Sequence, residues 1–167
     1  MLKELEYDMH TQSEKGFTLV EILIVGVIMT VLAAIAMPRM GFLFSKNRLR
    51  TSTSSVTSSL YLARMKAVND GENYGVQFSG DGYIEIVRDP LGVYEITSVT
   101  NRIEEGIEFA EVTFEDWLAV FNSVGQLDKS CLPSGDLTGH VILANDKGDS
   151  TKVEVTFITG RIRETNL

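Results

Sequence analysis

The sequence predicts an α+β protein: one long N-terminal helix, apolar in its first half and amphipathic in its second, packed on an antiparallel, sandwich-like β domain. Three observations carry this. A greasy stretch occupies residues 17–37, apolar residues then recur at helical spacing as far as residue 70, and from Asn73 onward the apolar period drops to two. A chain of 167 residues has room for one domain plus an extra segment, and its hydrophobic (44%) and charged (23%) fractions are those of a folded protein.

Residues 1–16 form a polar leader that carries Lys3 and Lys15 against Glu4, Glu6, Asp8 and Glu14. Met9 offers an alternative start, which leaves a shorter leader with Glu14 and Lys15. From Ile22 to Met37 only Gly26 and Thr30 interrupt the apolar run. Counted from Phe17 the stretch is about 21 residues, or about 31 Å of helix, which matches the core of a bilayer. A buried core helix would keep a polar face. A secretory signal would have a shorter apolar core, about 7–15 residues, followed by a small-residue cut site; no A-x-A-like site precedes Pro38. Residues 17–37 therefore read as a retained membrane anchor.

Glu21 stands out in that anchor. An acid at the centre of a membrane helix costs about 2.5–3.5 kcal/mol, less near an end, and pairing offsets much of it. Glu21 is thus a candidate functional residue; the plainer alternative is a carboxylate reaching back to the interface. Counting the flanking cations, with Arg39, Lys46, Arg48 and Arg50 beyond the run, places the C-terminal side in the cytoplasm.

Pro38 lacks a backbone donor, so it predicts a bend. Over residues 38–70 the helix becomes amphipathic. Leu49, Val56, Leu60, Ala63 and Ala67 share one face, while Thr51, Ser54, Ser55, Thr57 and Ser58, then Arg64 and Lys66, take the other. Asp70-Gly71 ends it. In the β domain, residues 71–167, strands are expected at Tyr74–Ser79, Tyr83–Arg88, Ile107–Phe114, Trp117–Asn122, His140–Asn145 and Lys152–Ile158. Gly80-Asp81-Gly82 and Asp146-Lys147-Gly148-Asp149 supply hairpin turns. Pro90 and Pro133 fall in loops, and Gly125 to Gly139 reads as an irregular connection.

Composition narrows the function. A formal net charge of -8 argues against a nucleic-acid partner. The single cysteine, Cys131, excludes an intrachain disulfide and a cysteine-based metal site. Only His10 and His140 supply imidazoles; His140 opens a strand with no partner acid in sequence, and no catalytic residue or cofactor is assigned. Asn145, Asp146 and Asp149 suggest calcium oxygens, but a calcium loop needs about six or more, so a hairpin turn is the better reading and no metal is expected. Cys131 reads as a loop residue and Trp117 as core filling.

The string Lys15-Gly16-Phe17-Thr18-Leu19-Val20-Glu21, followed by the apolar run, resembles the processing site of type IV prepilins and type II secretion pseudopilins. The resemblance implies that a prepilin peptidase cuts between Gly16 and Phe17 and methylates the new amine of Phe17. Glu21 would then be the fifth residue of the mature chain, facing that amine or a neighbouring subunit's, and Pro38 falls where many family members bend the helix. The acidic leader departs from the basic leaders common in the family. Further along, "SSLYLARMKAVNDG", "YGVQF", "VFNSVGQL" and "FITGRIR" resemble the minor pseudopilin H group and the FimT-like minor type IV pilins.

That resemblance implies a pilin-like fold and a non-enzymatic subunit of a secretion pseudopilus. It would sit in the bacterial inner membrane with its C-terminal domain in the periplasm, opposite to the orientation the flanking cations give. Its partners would be the peptidase, other pseudopilins or pilins, and an inner-membrane assembly platform. The alternatives are a FimT-like minor pilin in pilus assembly or DNA uptake, and a membrane-anchored periplasmic binding or sensor module, which would keep its leader. In FimT-like pilins a basic motif like Gly160-Arg161-Ile162-Arg163 is linked to DNA capture, making Arg161 and Arg163 possible contacts; a charged edge strand explains them as well.

Overall fold

A computed structural model describes residues 16–88, 94–96 and 100–167; the side chains of residues 36–40, Arg88 and Tyr94 lie outside the description. The leader through Lys15, including the choice between Met1 and Met9, and Pro90 also lie outside the described residues. The chain divides into two compact units, Met1–Arg39 and Met40–Leu167. Helix α1, Leu19–Asp70, supplies backbone to both.

In the second unit the helix lays Leu49, Val56, Leu60, Ala63 and Ala67 into the core, the face expected from their spacing. It stops where Gly71 takes φ +73 and donates to the Ala67 carbonyl at 3.1 Å, a left-handed stop that glycine adopts without strain. The strands form two antiparallel sheets. The first holds β1 (Asn73–Ser79), β2 (Gly82–Arg88), β3 (Tyr94–Ile96), β4 (Asn101–Arg102) and β6 (Leu118–Phe121), in the order β3-β2-β1-β6 with β4 also on β2. The second has the order β5-β7-β8-β9, from β5 (Ile107–Val112), β7 (Thr138–Asn145), β8 (Ser150–Thr156) and β9 (Ile162–Asn166).

One main core joins the helix face to both sheets through Val76, Phe78, Phe121, Val141, Leu143, Val153 and Val155. Burying each such side chain is worth about 1.5–3 kcal/mol. Phe78 anchors an aromatic group, edge-on to Phe109 at 5.5 Å and stacked on Phe114 at 6.0 Å. Strand β6 is buried at every position. Ala119 and Phe121 face the main core, while Leu118 and Val120 join a smaller cluster with Ile86 and Cys131. Cys131 is thus a buried residue of a short 3-10 turn, Lys129–Cys131, rather than a plain loop position.

Both hairpin turns form where Gly80-Asp81 and the Asn145–Asp149 segment place them. Strand limits shift: β5 ends at Val112, β8 runs Ser150–Thr156, and short β3 and β4, which have no clear apolar alternation, join the first sheet. Trp117 corrects the expectation of core filling. It is 42% exposed and precedes β6, and Asp116 and Trp117 both carry positive φ, 53 and 57. Two adjacent left-handed residues turn the chain from β5 into β6 and swing the indole outward, a conformation that costs a non-glycine residue about 1–2 kcal/mol. The polar helix face is also less open than its sequence suggests. Thr51, Ser54, Ser55 and Ser58 are exposed as expected, but Thr57 is half-buried, Arg64 and Lys66 reach the β domain, and the neighbouring Ser52 and Thr53 are buried.

Candidate processing and assembly site

In the first unit, Gly16, Phe17 and Glu21 lie together at the start of α1. Thr18 caps the helix: its hydroxyl accepts from the Glu21 amide at 3.2 Å, and its carbonyl accepts from Glu21 and Ile22 at 3.0 and 3.3 Å. Thr18-Leu19-Val20-Glu21 is therefore a capping-box sequence, with the acid at the third helical position. The positive end of the helix dipole favours a carboxylate there. The sequence reading placed Glu21 near the amine of Phe17 but missed the cap; the Thr-x-x-Glu spacing was the available signal. Phe17 is 80% exposed.

From Leu19 to Ile35 every side chain is exposed within the chain. A continuous apolar surface of this kind marks an interaction site. Thr30 satisfies its hydroxyl internally, donating to the Gly26 carbonyl at 2.8 Å, which suits a helix surrounded by oil. Among the described residues no helical stretch is long and apolar enough to cross a membrane. The unbroken run of described side chains ends at Ile35, and the sequence continues apolar through Ala36 and Met37. Pro38 lies in the helical backbone of α1, with its side chain outside the description.

The second unit is held by a clamp the sequence reading did not anticipate. Arg64 donates from Nε to the Gly125 carbonyl at 2.9 Å and from Nη2 to the Thr159 carbonyl at 2.9 Å. It ties the helix to the connections after β6 and after β8. Gly125 and Gly160 meet there with φ +76 and +58, and a Cβ on Gly160 would strike the Gly125 carbonyl oxygen. The available signal was an arginine one position after Ala63, at the margin of the buried helix face. Tyr61 adds a hydroxyl bond to the Ile162 carbonyl at 3.2 Å, and Lys66 pairs with Glu85 at 2.8 Å.

Arg161 and Arg163 belong to this second unit, both exposed, Arg161 just before β9 and Arg163 within it. They flank buried Ile162, and β9 is an edge strand. The Asn145–Asp149 turn spends side-chain oxygens on protein donors. Asn145 Oδ1 accepts from the Lys147 and Asp149 amides at 3.0 and 2.9 Å, and Asn145 Nδ2 donates to Asp149 at 3.0 Å. Asp146 accepts from the Ser45 hydroxyl at 2.7 Å, and that bond, with Lys147, holds its carboxyl below the ordinary range. Among the described residues no cluster of acids, histidines and cysteines is fit to hold a metal. His140 is the third residue of β7, and β5 brings Glu111 to 3.5 Å from its Nε2, a partner acid that sequence distance concealed.

Residues 11–37 match the family model described as the prokaryotic N-terminal methylation motif. The chain is 28% identical over 104 residues to the type II secretion system protein H of Pseudomonas aeruginosa, an alignment covering 62% of this chain and 60% of that protein. The solved minor pseudopilin EpsH from the type 2 secretion system of Vibrio cholerae superposes with a TM-score of 0.54 at 12% identity, over 71% of this chain and 97% of that one. The chain is thus similar in sequence to a secretion-system protein H and in fold to a minor pseudopilin, and its N-terminus carries the methylation motif. The type IV minor pilin FimU of Pseudomonas aeruginosa gives a TM-score of 0.53 at 14% identity, over 74% and 92% of the two chains. At such identities the solved neighbours establish the fold: a pilin-like helix against antiparallel sheets. The pilin-like chain spans 60% of the length of the curated relative it matches.

Proposed function

We propose that this protein is a minor pseudopilin, a non-enzymatic structural subunit of a type II secretion pseudopilus. The observation that carries the reading is a methylation-motif N-terminus on a chain whose curated relative is a secretion-system protein H. In this reading a prepilin peptidase removes residues 1–16 and methylates the amine of Phe17. Residues 17–37 then anchor the subunit in the inner membrane, and the β domain stands in the periplasm. The anchor is the residue set whose apolar surface the chain itself leaves open. An assembly platform draws it from lipid into a filament, where the same surface meets other subunits' helices. Glu21, held at the first turn by the Thr18 cap, pairs with a terminal amine and sets the register of each subunit.

Deleting the gene in its native host is expected to leave type II substrates trapped in the periplasm, with surface pili and twitching unchanged and export restored by the wild-type copy. The match to FimU favours a second reading, a minor pilin. Lost pili with intact export would support it and contradict the first.

A further inference from the structure

The Gly16–Phe17 bond lies outside helix α1. Gly16, Phe17 and Thr18 are non-helical, and the helix runs from Leu19. Its backbone ladder begins at the Thr18 carbonyl, which accepts from the Glu21 and Ile22 amides. Among the described residues no amide bonds to the carbonyl of Gly16 or Phe17. The surroundings are equally open. Phe17 is exposed, and a Cβ built on Gly16 would meet no described atom within 4 Å. Gly16 also lies outside the left-handed region, so nothing described in the chain itself requires glycine there. A glycine that the fold does not need fits an outside partner that needs room at this bond, and the methylation-motif match spans the same residues.

One side chain fixes where the helix stops short of the bond. The first amides of a helix lack partners within it, and a capping side chain or an added upstream turn satisfies them. Here the Thr18 hydroxyl takes the Glu21 amide at 3.2 Å. Without that oxygen, the same amide finds a partner if the helix winds back by a turn. Glu21 would then donate to the Phe17 carbonyl and Val20 to the Gly16 carbonyl, in the ordinary four-residue ladder. The bond to be cut would lie inside the helix, with its own carbonyl occupied. Peptidases cut exposed, non-helical backbone, and a wound segment has to open first.

We propose that Thr18 is a positioning residue for leader removal: its cap ends the helix just past the cut and keeps the Gly16–Phe17 bond unwound for a prepilin peptidase. The inference rests on the pseudopilin reading above and deepens it. In the cut, water breaks the C–N bond between the two residues, its hydroxyl passing to the Gly16 carbonyl carbon and its hydrogen to the Phe17 nitrogen. The amine so formed stands one residue ahead of the cap. Thr18 acts through the start of the helix, not on the reacting atoms.

The test follows leader removal by intact mass, over time, from the full chain in native membranes that contain the host's peptidase. Thr18→Val keeps the shape of the side chain and removes the capping oxygen. Thr18→Ser and Thr18→Asn cap as well as threonine does, with different shapes. The valine variant is expected to be cut about fivefold more slowly, and the serine and asparagine variants at the wild-type rate. Recovery with asparagine separates the cap from direct reading of the threonine hydroxyl by the peptidase, and it excludes misfolding as the cause. Wild-type cutting of Thr18→Val, or Thr18→Asn as slow as Thr18→Val, would overturn the inference and leave the pseudopilin reading standing. A wild-type chain that is never cut would overturn both.

Discussion

Gly160→Ala is expected to destabilise the β domain by about 3–5 kcal/mol, a large part of the about 5–15 kcal/mol that holds a domain folded. Two costs combine. At φ +58 a side chain is strained by about 1–2 kcal/mol. The new Cβ would also strike the Gly125 carbonyl oxygen and stand 2.9 Å from Arg64 Nε. Neither neighbour yields cheaply, because Gly125 oxygen is backbone and Arg64 is bonded to it. Moving the turn aside instead breaks the Arg64 bond to Thr159 and the Gly160 amide bond to Thr156, both 2.9 Å. A hydrogen bond from a charged donor is worth about 1.5–3 kcal/mol. Thermal unfolding of the detergent-extracted chain should show a midpoint lowered by about 10 °C. Gly148→Ala is the control. Gly148 has φ +89 with nothing within 4 Å of the added carbon, so it carries the strain without the collision. Equal losses in the two variants would remove the clamp as the cause.

Glu21→Gln is expected to leave cleavage intact and stop assembly. The processing string Lys15-Gly16-Phe17 is untouched. Glutamine also serves at the third position of a capping box, so the helix start held by Thr18 should survive. What disappears is the negative charge proposed to meet a terminal amine among packed anchors. Removing one partner of a desolvated ion pair costs about 3–5 kcal/mol, which is about a hundredfold to several thousandfold in subunit association. Filaments sheared from cells and quantified against the processed membrane pool report that loss. Wild-type filament yield from the variant would mean that Glu21 does not set register.

Much of this molecule was legible in the sequence because its signals are local. The buried helix face, the Asp70-Gly71 stop and the glycine and asparagine turns follow from spacing and backbone preference, and they appear where expected. What escaped depends on residues distant in sequence. Gly125 and Gly160 are made indispensable by Arg64, and His140 gains Glu111 only when β5 pairs with β7. Trp117 looked like core because indoles usually are, yet the left-handed pair Asp116-Trp117 turns it outward. Short β3 and β4 carry too few alternating residues to announce themselves. At the N-terminus, the Thr18 cap was written in plain spacing and was overshadowed by the charge of Glu21.

The intact mass and terminal sequence of the protein, recovered from native membranes with and without the host's prepilin peptidase, test the central claim most directly. With the peptidase, the chain should begin at Phe17 and carry one methyl group on its amine; without it, residues 1–16 should remain. A chain that begins at Met1 or Met9 in peptidase-competent cells, with an unmodified Phe17, would contradict the account.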